Sequence, residues 1–276
     1  MINIRQLRFT TRRGVLRFRR LSLNKRQKLV SSVLLLTLGL FIAENFLGRG
    51  GVVVVFILAF ATDLLLFWAL FRDLEENFSW QIFILPFFYS LAFGLFYLLV
   101  PARFLTRIVM ASLYGVGLYS LFLAQNIFTV SAIRTIQLLS SARTVSFTIT
   151  LLSYFFLINV IYSLHTNLFI NSFLVFIFTF PIVLQSVWTY SLDKNLLSNS
   201  IWTVSLTAVL VEVSLMLWFW PSTPTLIALF LTGIFYTVVG LSQAWFEKRL
   251  FRGVLLEYFW VAIVIFVVLI LFTAWT

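Results

Sequence analysis

Asp63 and Glu212 are the residues of this chain best suited to chemistry inside an apolar medium. The sequence holds nine acids in all, and these two fall near the middle of long apolar runs at 51–71 and 200–220. An ionised carboxylate at the centre of a membrane costs at least about 2.5–3.5 kcal/mol, so such groups usually face other helices or a water-filled cavity. No Lys or Arg occurs at matching depth in any apolar run. Two such acids can share a proton, bind a cation, or hydrogen-bond between helices as neutral groups. Counted along oppositely running helices, they differ in depth by roughly 6 Å at 1.5 Å per residue.

A second constellation lies at one end of the runs. Glu44 closes the first run, while Arg103 and Arg107 open the fourth. Glu44 and Arg107 can pair if their helices are neighbours, most simply as a structural clamp. Anion recognition by the arginines is the alternative use. His165, the sole histidine, ends the fifth run and reads as an interfacial side chain.

What positions these residues is a set of membrane spans. Hydrophobic residues make up 62% of the 276 positions, and mean hydropathy is +1.05. A hydrocarbon core about 30 Å thick needs roughly twenty apolar residues per helical crossing, and only structures with closed backbone hydrogen bonding can span it. Runs of that length lie near 29–47, 51–71, 80–100, 104–126, 144–164, 167–190, 200–220, 224–244 and 253–275. The expectation is an all-α polytopic transmembrane bundle of about nine spans over residues 29–276, preceded by a basic cytoplasmic tail over 1–28. The segment 127–142 shows no single apolar helical face and reads as interfacial. Pro181 should kink the sixth span. Ala111 and Gly115 form a small-xxx-small pair that would let another helix approach the fourth span closely.

Charge orients the bundle. With the N-terminus inside, seventeen Lys and Arg fall on the cytoplasmic side against Arg49, Arg103 and Arg107 outside. This is the bias expected of a protein of the cytoplasmic membrane. The acids at the cytoplasmic loops, such as Asp73 and Glu247, read as local charge balance with Arg72 and Lys248. The tail carries ten basic residues and no acid. Attraction to anionic lipid headgroups, about 1 kcal/mol per basic residue, accounts for it without a specific nucleic-acid partner.

Several chemistries are excluded or unsupported. Cysteine is absent, which removes disulfides, thiolate metal sites and cysteine nucleophiles. One histidine and three methionines offer no metal cluster and no cofactor site is expected. The motifs of lipid phosphatases, phosphatidyl-alcohol transferases and intramembrane proteases have no match, and no Gly-rich phosphate loop occurs.

The stretch from Asn126 to Arg143 (NIFTVSAIRTIQLLSSAR), followed by Asn159 to His165 (NVIYSLH), resembles an uncharacterised family of multi-pass membrane proteins from candidate-phylum bacteria. The resemblance implies no reaction. It concentrates attention on Arg134, Gln137, Arg143 and His165 as a candidate interaction segment. The resulting expectation is a multi-pass, non-enzymatic membrane protein that acts as a partner or scaffold component. The alternative is a small transporter or channel-like protein using its intramembrane carboxylates.

Overall fold

The computed structural model describes residues 24–46, 51–74, 78–101, 104–131, 138–192 and 199–273. Among these the chain is all-helical: α1 (Lys25–Phe46), α2 (Gly51–Leu74), α3 (Gln81–Leu99), α4 (Phe104–Ser131), α5 (Leu139–Ser163), α6 (Leu168–Ser191), α7 (Ser200–Trp218), α8 (Pro224–Phe246) and α9 (Arg252–Phe272). Each of the nine described helices is long and apolar enough to cross a membrane. Their outward faces are themselves apolar, with Leu64, Phe104, Phe169 and Leu271 all at least 70% exposed. A lipid solvent makes that composition stable, whereas water would not.

Helix α5 is the hub, packing against α3, α4, α6 and α8. Helix α3 meets α2, α4, α5 and α6, so α3 and α5 together form the spine. Helices α1 and α2 cover one flank, and α7 covers another by packing on α6 and α8. Helix α9 rests on α8 and is almost wholly exposed elsewhere. Connections are short, so successive helices alternate in direction. The bundle therefore has an N-terminal face, where α1 begins, and an opposite face.

Close approach depends on small residues. A Cβ added to Gly115 on α4 would lie 3.0 Å from Thr37 Oγ1 on α1, so the small-xxx-small pair does seat a neighbouring helix. Gly117 is tighter: an added Cβ would fall 2.1 Å from the Tyr89 hydroxyl on α3. That hydroxyl donates to the carbonyls of Leu113 and Tyr114 at 3.2 and 3.1 Å, so the missing side chain admits a tyrosine to the α4 backbone.

One sequence reading changes. Residues 127–131 continue α4 and 139–142 open α5, so these parts of the supposed interfacial segment are helical extensions. A helix buried against neighbours does not need a single apolar face, which is why the face test misled there. Pro181 lies inside α6, which continues through it. Helix α1 begins at Lys25, within the basic stretch 1–28.

Candidate functional sites

Asp63 is the thirteenth residue of the 24-residue α2 and sits at mid-depth. The preceding residue, Thr62, is fully buried and donates to the Leu58 carbonyl at 2.8 Å. With that proton committed, Ser90 of α3 must donate to Thr62 at 2.8 Å. Tyr114 of α4 in turn donates to Ser90 at 2.9 Å. This run of hydroxyls ties α2, α3 and α4 together at one level. Asp63 is turned away from it, toward the outside of the bundle.

There it meets a groove of about 540 Å³ between α2 and α3, lined by Phe60, Asp63, Leu64, Phe67, Phe78, Trp80, Phe83, Ile84, Phe87 and Phe88. Seven of these ten residues are aromatic, and Asp63 is the only ionisable one. Phe60, Leu64 and Trp80 are each more than 60% exposed, so the groove opens outward. It reaches from the α2–α3 connection at the N-terminal face up to the carboxyl. One carboxyl oxygen, Oδ1, is sealed from solvent and has no hydrogen-bond partner.

Glu212 lies on the exposed face of α7. Helix α2 packs on α1, α3 and α4, and α7 on α6 and α8, so α3 and α6 stand between the two acids. The structure does not bring Asp63 and Glu212 together, and a proton or ion shared within one chain has no geometry here. Sequence depth was the reason to couple them, but depth says nothing about which flank a helix occupies.

Arg143 and His165 stand at opposite ends of α5, about 33 Å apart along the axis at 1.5 Å per residue, so they form no common surface. Arg134 and Gln137 lie outside the described residues. Arg143 is committed internally. Its Nε and Nη2 donate to the carbonyls of Thr189 and Tyr190 at 3.0 and 3.3 Å, its Nη1 reaches Glu247 at 3.2 Å, and its guanidinium stacks 4.6 Å from the Tyr190 ring. The two carbonyls belong to the last turn of α6, where helical acceptors lack intrahelical donors. Glu247 caps α8, whose end is a Schellman turn: Lys248 N–H bonds to Trp245 O and Arg249 N–H to Ala244 O, both at 2.9 Å. A carboxylate is unfavourable at a helix C-terminus, and Arg143 with Arg249 (3.5 Å) offsets it. Glu247 thus pairs with these arginines and Asp73 with Lys25, while the Arg72 side chain lies outside the described residues. Helices α1 and α4 are neighbours, as a Glu44–Arg107 pair requires. The Glu44 side chain lies outside the described residues.

Sequence reasoning missed a pocket at the opposite face. It measures about 220 Å³ and is lined by Tyr162, His165, Thr166, Asn171, Trp218, Trp220, Ser222, Pro224 and Ile227. His165 adopts φ 46°, a left-handed conformation that reverses the chain between α5 and α6. The signal was present as polar residues recurring at the adjoining ends of the fifth to eighth runs, but the tryptophans among them are of the kind enriched at any membrane interface.

A polar level also crosses the N-terminal half of the core. Gln125 on α4 and Gln185 on α6 are fully buried, and neither amide has a hydrogen-bond partner. The rings of Phe128 and Trp188 approach to 6.2 Å. Both helices run the same way, and each glutamine precedes its ring by one turn, so the two amides share a level and a facing side.

No curated protein and no solved structure matches this chain. The family whose model matches residues 46–272, and so covers α2 to α9, is described as a protein of unknown function (DUF5656). Together with nine described helices of membrane-crossing character, that match places the chain as a multi-pass membrane protein belonging to the uncharacterised DUF5656 family.

Proposed function

We propose that this protein is a non-enzymatic partner or scaffold component of the cytoplasmic membrane, which receives a partner's transmembrane helix in the α2–α3 groove. The observation that carries the reading is the half-buried Asp63 carboxyl on the wall of an outward-open aromatic groove. Lipid tails offer a carboxyl nothing, and a buried polar group without a partner costs about 1–3 kcal/mol. An occupant with a donor or cation at mid-span would meet the carboxyl from the groove side. A second copy of the chain has no Lys or Arg at that depth among the described residues, which favours a different protein. Lys25, Arg26, Lys28, Arg143, Lys248, Arg249 and Arg252 crowd the N-terminal face, while Arg107 lies at the other, which supports a cytoplasmic N-terminus.

The test is a photo-crosslinking residue at position 67 in native membranes. The expected product is a discrete adduct to the mid-span of another membrane protein, lost in Asp63→Leu and lost when the partner's own mid-span donor is removed. Adducts to lipid alone refute the docking reading. The reach of the groove from Trp80 to mid-depth favours a second reading, a small transporter or channel-like protein using Asp63. Because cysteine is absent, a single Asp63→Cys variant labelled by a membrane-impermeant thiol reagent would favour that reading over docking.

A further inference from the structure

We infer that α7 is a self-association surface: a second copy of this chain lays its own α7 against the first, and the two Glu212 carboxyls bond across a two-fold axis. The observation that carries this is the place of Glu212. It is the thirteenth of the nineteen residues of α7, about 9 Å short of the Trp218 end at 1.5 Å per residue. Its side chain is exposed on the outside of the bundle, and no described residue hydrogen-bonds or pairs with it. Ionisable groups within membrane spans almost always turn to the bundle interior or a water-filled cavity, and pair there with one another or with carbonyls. Glu212 turns outward instead, where lipid tails offer a carboxyl nothing. A second membrane helix laid over it supplies what the single chain lacks.

The rest of that face selects the occupant. The inner side of α7, with Thr203, Leu206, Leu210 and Leu217, is buried, and the helix packs on α6 and α8. On the outer side Ile201, Ser205, Ala208, Glu212 and Leu215 follow one another at steps of four, three, four and three residues. That is the spacing of a left-handed helix–helix seam. Ser205 and Ala208 are both exposed, and small residues on a seam let two backbones approach closely. A second copy inserted in the same sense runs its α7 parallel to the first. A two-fold axis along the membrane normal then sets each seam residue opposite its twin, small against small and Glu212 against Glu212 at one depth. Two carboxyls holding at least one proton between them are complementary, because the protonated group donates and the other accepts. A different protein would need its own donor at that depth and its own small residues beside it. A second copy brings both by symmetry.

The experiment uses the full chain, which has no cysteine of its own. Ala208→Cys puts one thiol on the seam, and oxidation of native membranes with copper phenanthroline should give a disulfide-linked dimer of the chain. Val264→Cys, exposed on α9, reports random collision and should stay monomeric. In phosphatidylcholine liposomes, single-molecule photobleaching across a range of lipid dilution gives the dimer affinity of the cysteine-free chain. That affinity should fall about tenfold in Glu212→Leu and stay near the parent value in Glu212→Gln, whose amide also donates and accepts. Ser205→Ile, which forces the backbones apart and leaves the carboxyl in place, should weaken it too, and Asp63→Leu on the other flank should not. Crosslinking at position 208 no better than at 264, a crosslink from 208 to a different protein in place of one between copies, or a dimer as insensitive to Glu212→Leu as to Asp63→Leu overturns the inference.

Discussion

Arg143 and Glu247 are 104 residues apart in the chain and 3.2 Å apart in space, and their ion pair joins the ends of three helices. The guanidinium serves the carbonyls of α6 and the carboxylate of α8 at once, which a planar fork can do and a lysine ammonium cannot. Arg143→Ala should cost about 2 kcal/mol, since the pair is only partly buried and sits below the range for fully buried pairs. Arg143→Lys should recover less than half. Thermal unfolding in detergent, with a double-mutant cycle against Glu247→Ala, checks both, and additive single effects would mean the pair is idle.

Lys248 occupies the position in the α8 Schellman turn that glycine favours, at φ 56°. An L-residue pays roughly 1–2 kcal/mol for left-handed backbone. Lys248→Gly should therefore raise stability by about 1 kcal/mol, unlike most glycine substitutions. A lowered melting temperature would mean that the lysine side chain has a role of its own.

Gly117 should not tolerate even alanine. The added methyl would overlap the Tyr89 hydroxyl, and such overpacking costs about 1–3 kcal/mol. Adding Tyr89→Phe removes the nearest obstructing atom and should restore part of the loss. If the double variant is no better than Gly117→Ala alone, the clash lies elsewhere.

For Asp63, the direction depends on what is measured. Asp63→Leu should favour membrane insertion of α2 by about 3 kcal/mol, readable by glycosylation mapping of the isolated span. The same change should abolish the crosslink at the groove. Improved insertion with an intact crosslink would detach the carboxyl from docking.

The buried amides make a further case. Gln125→Leu and Gln185→Leu remove groups whose unpaired burial costs about 1–3 kcal/mol each. Each variant should melt at or above the parent temperature. A marked loss in either would reveal a hydrogen-bonding partner, water included, held at that level.

The spans were legible because lipid imposes one rule on every crossing, and with 62% apolar residues the interruptions stand out. Asp63 was legible for the same reason. Its groove was not, because Phe60, Phe67, Phe83 and Phe87 are ordinary among 33 phenylalanines until α2 lies beside α3. Arg143 could be flagged as a charge at a helix start, but nothing local pointed to Glu247. Asn171, Trp218 and Ser222 come from separate turns, and only the packing of α6, α7 and α8 brings them round one space.

The hydroxyl run through Thr62, Ser90 and Tyr114 acts as a rotational stop. Successive residues on a helix project about 100° apart, from 3.6 residues per turn. With Thr62 held inward by its 2.8 Å bond from Ser90 of α3, α2 cannot roll to hide Asp63 among α3 and α4 without breaking that bond. The orientation of the acid is thus set by its neighbour's hydroxyl, and replacing Thr62 with valine would free the helix to turn its charge out of reach of whatever comes to meet it.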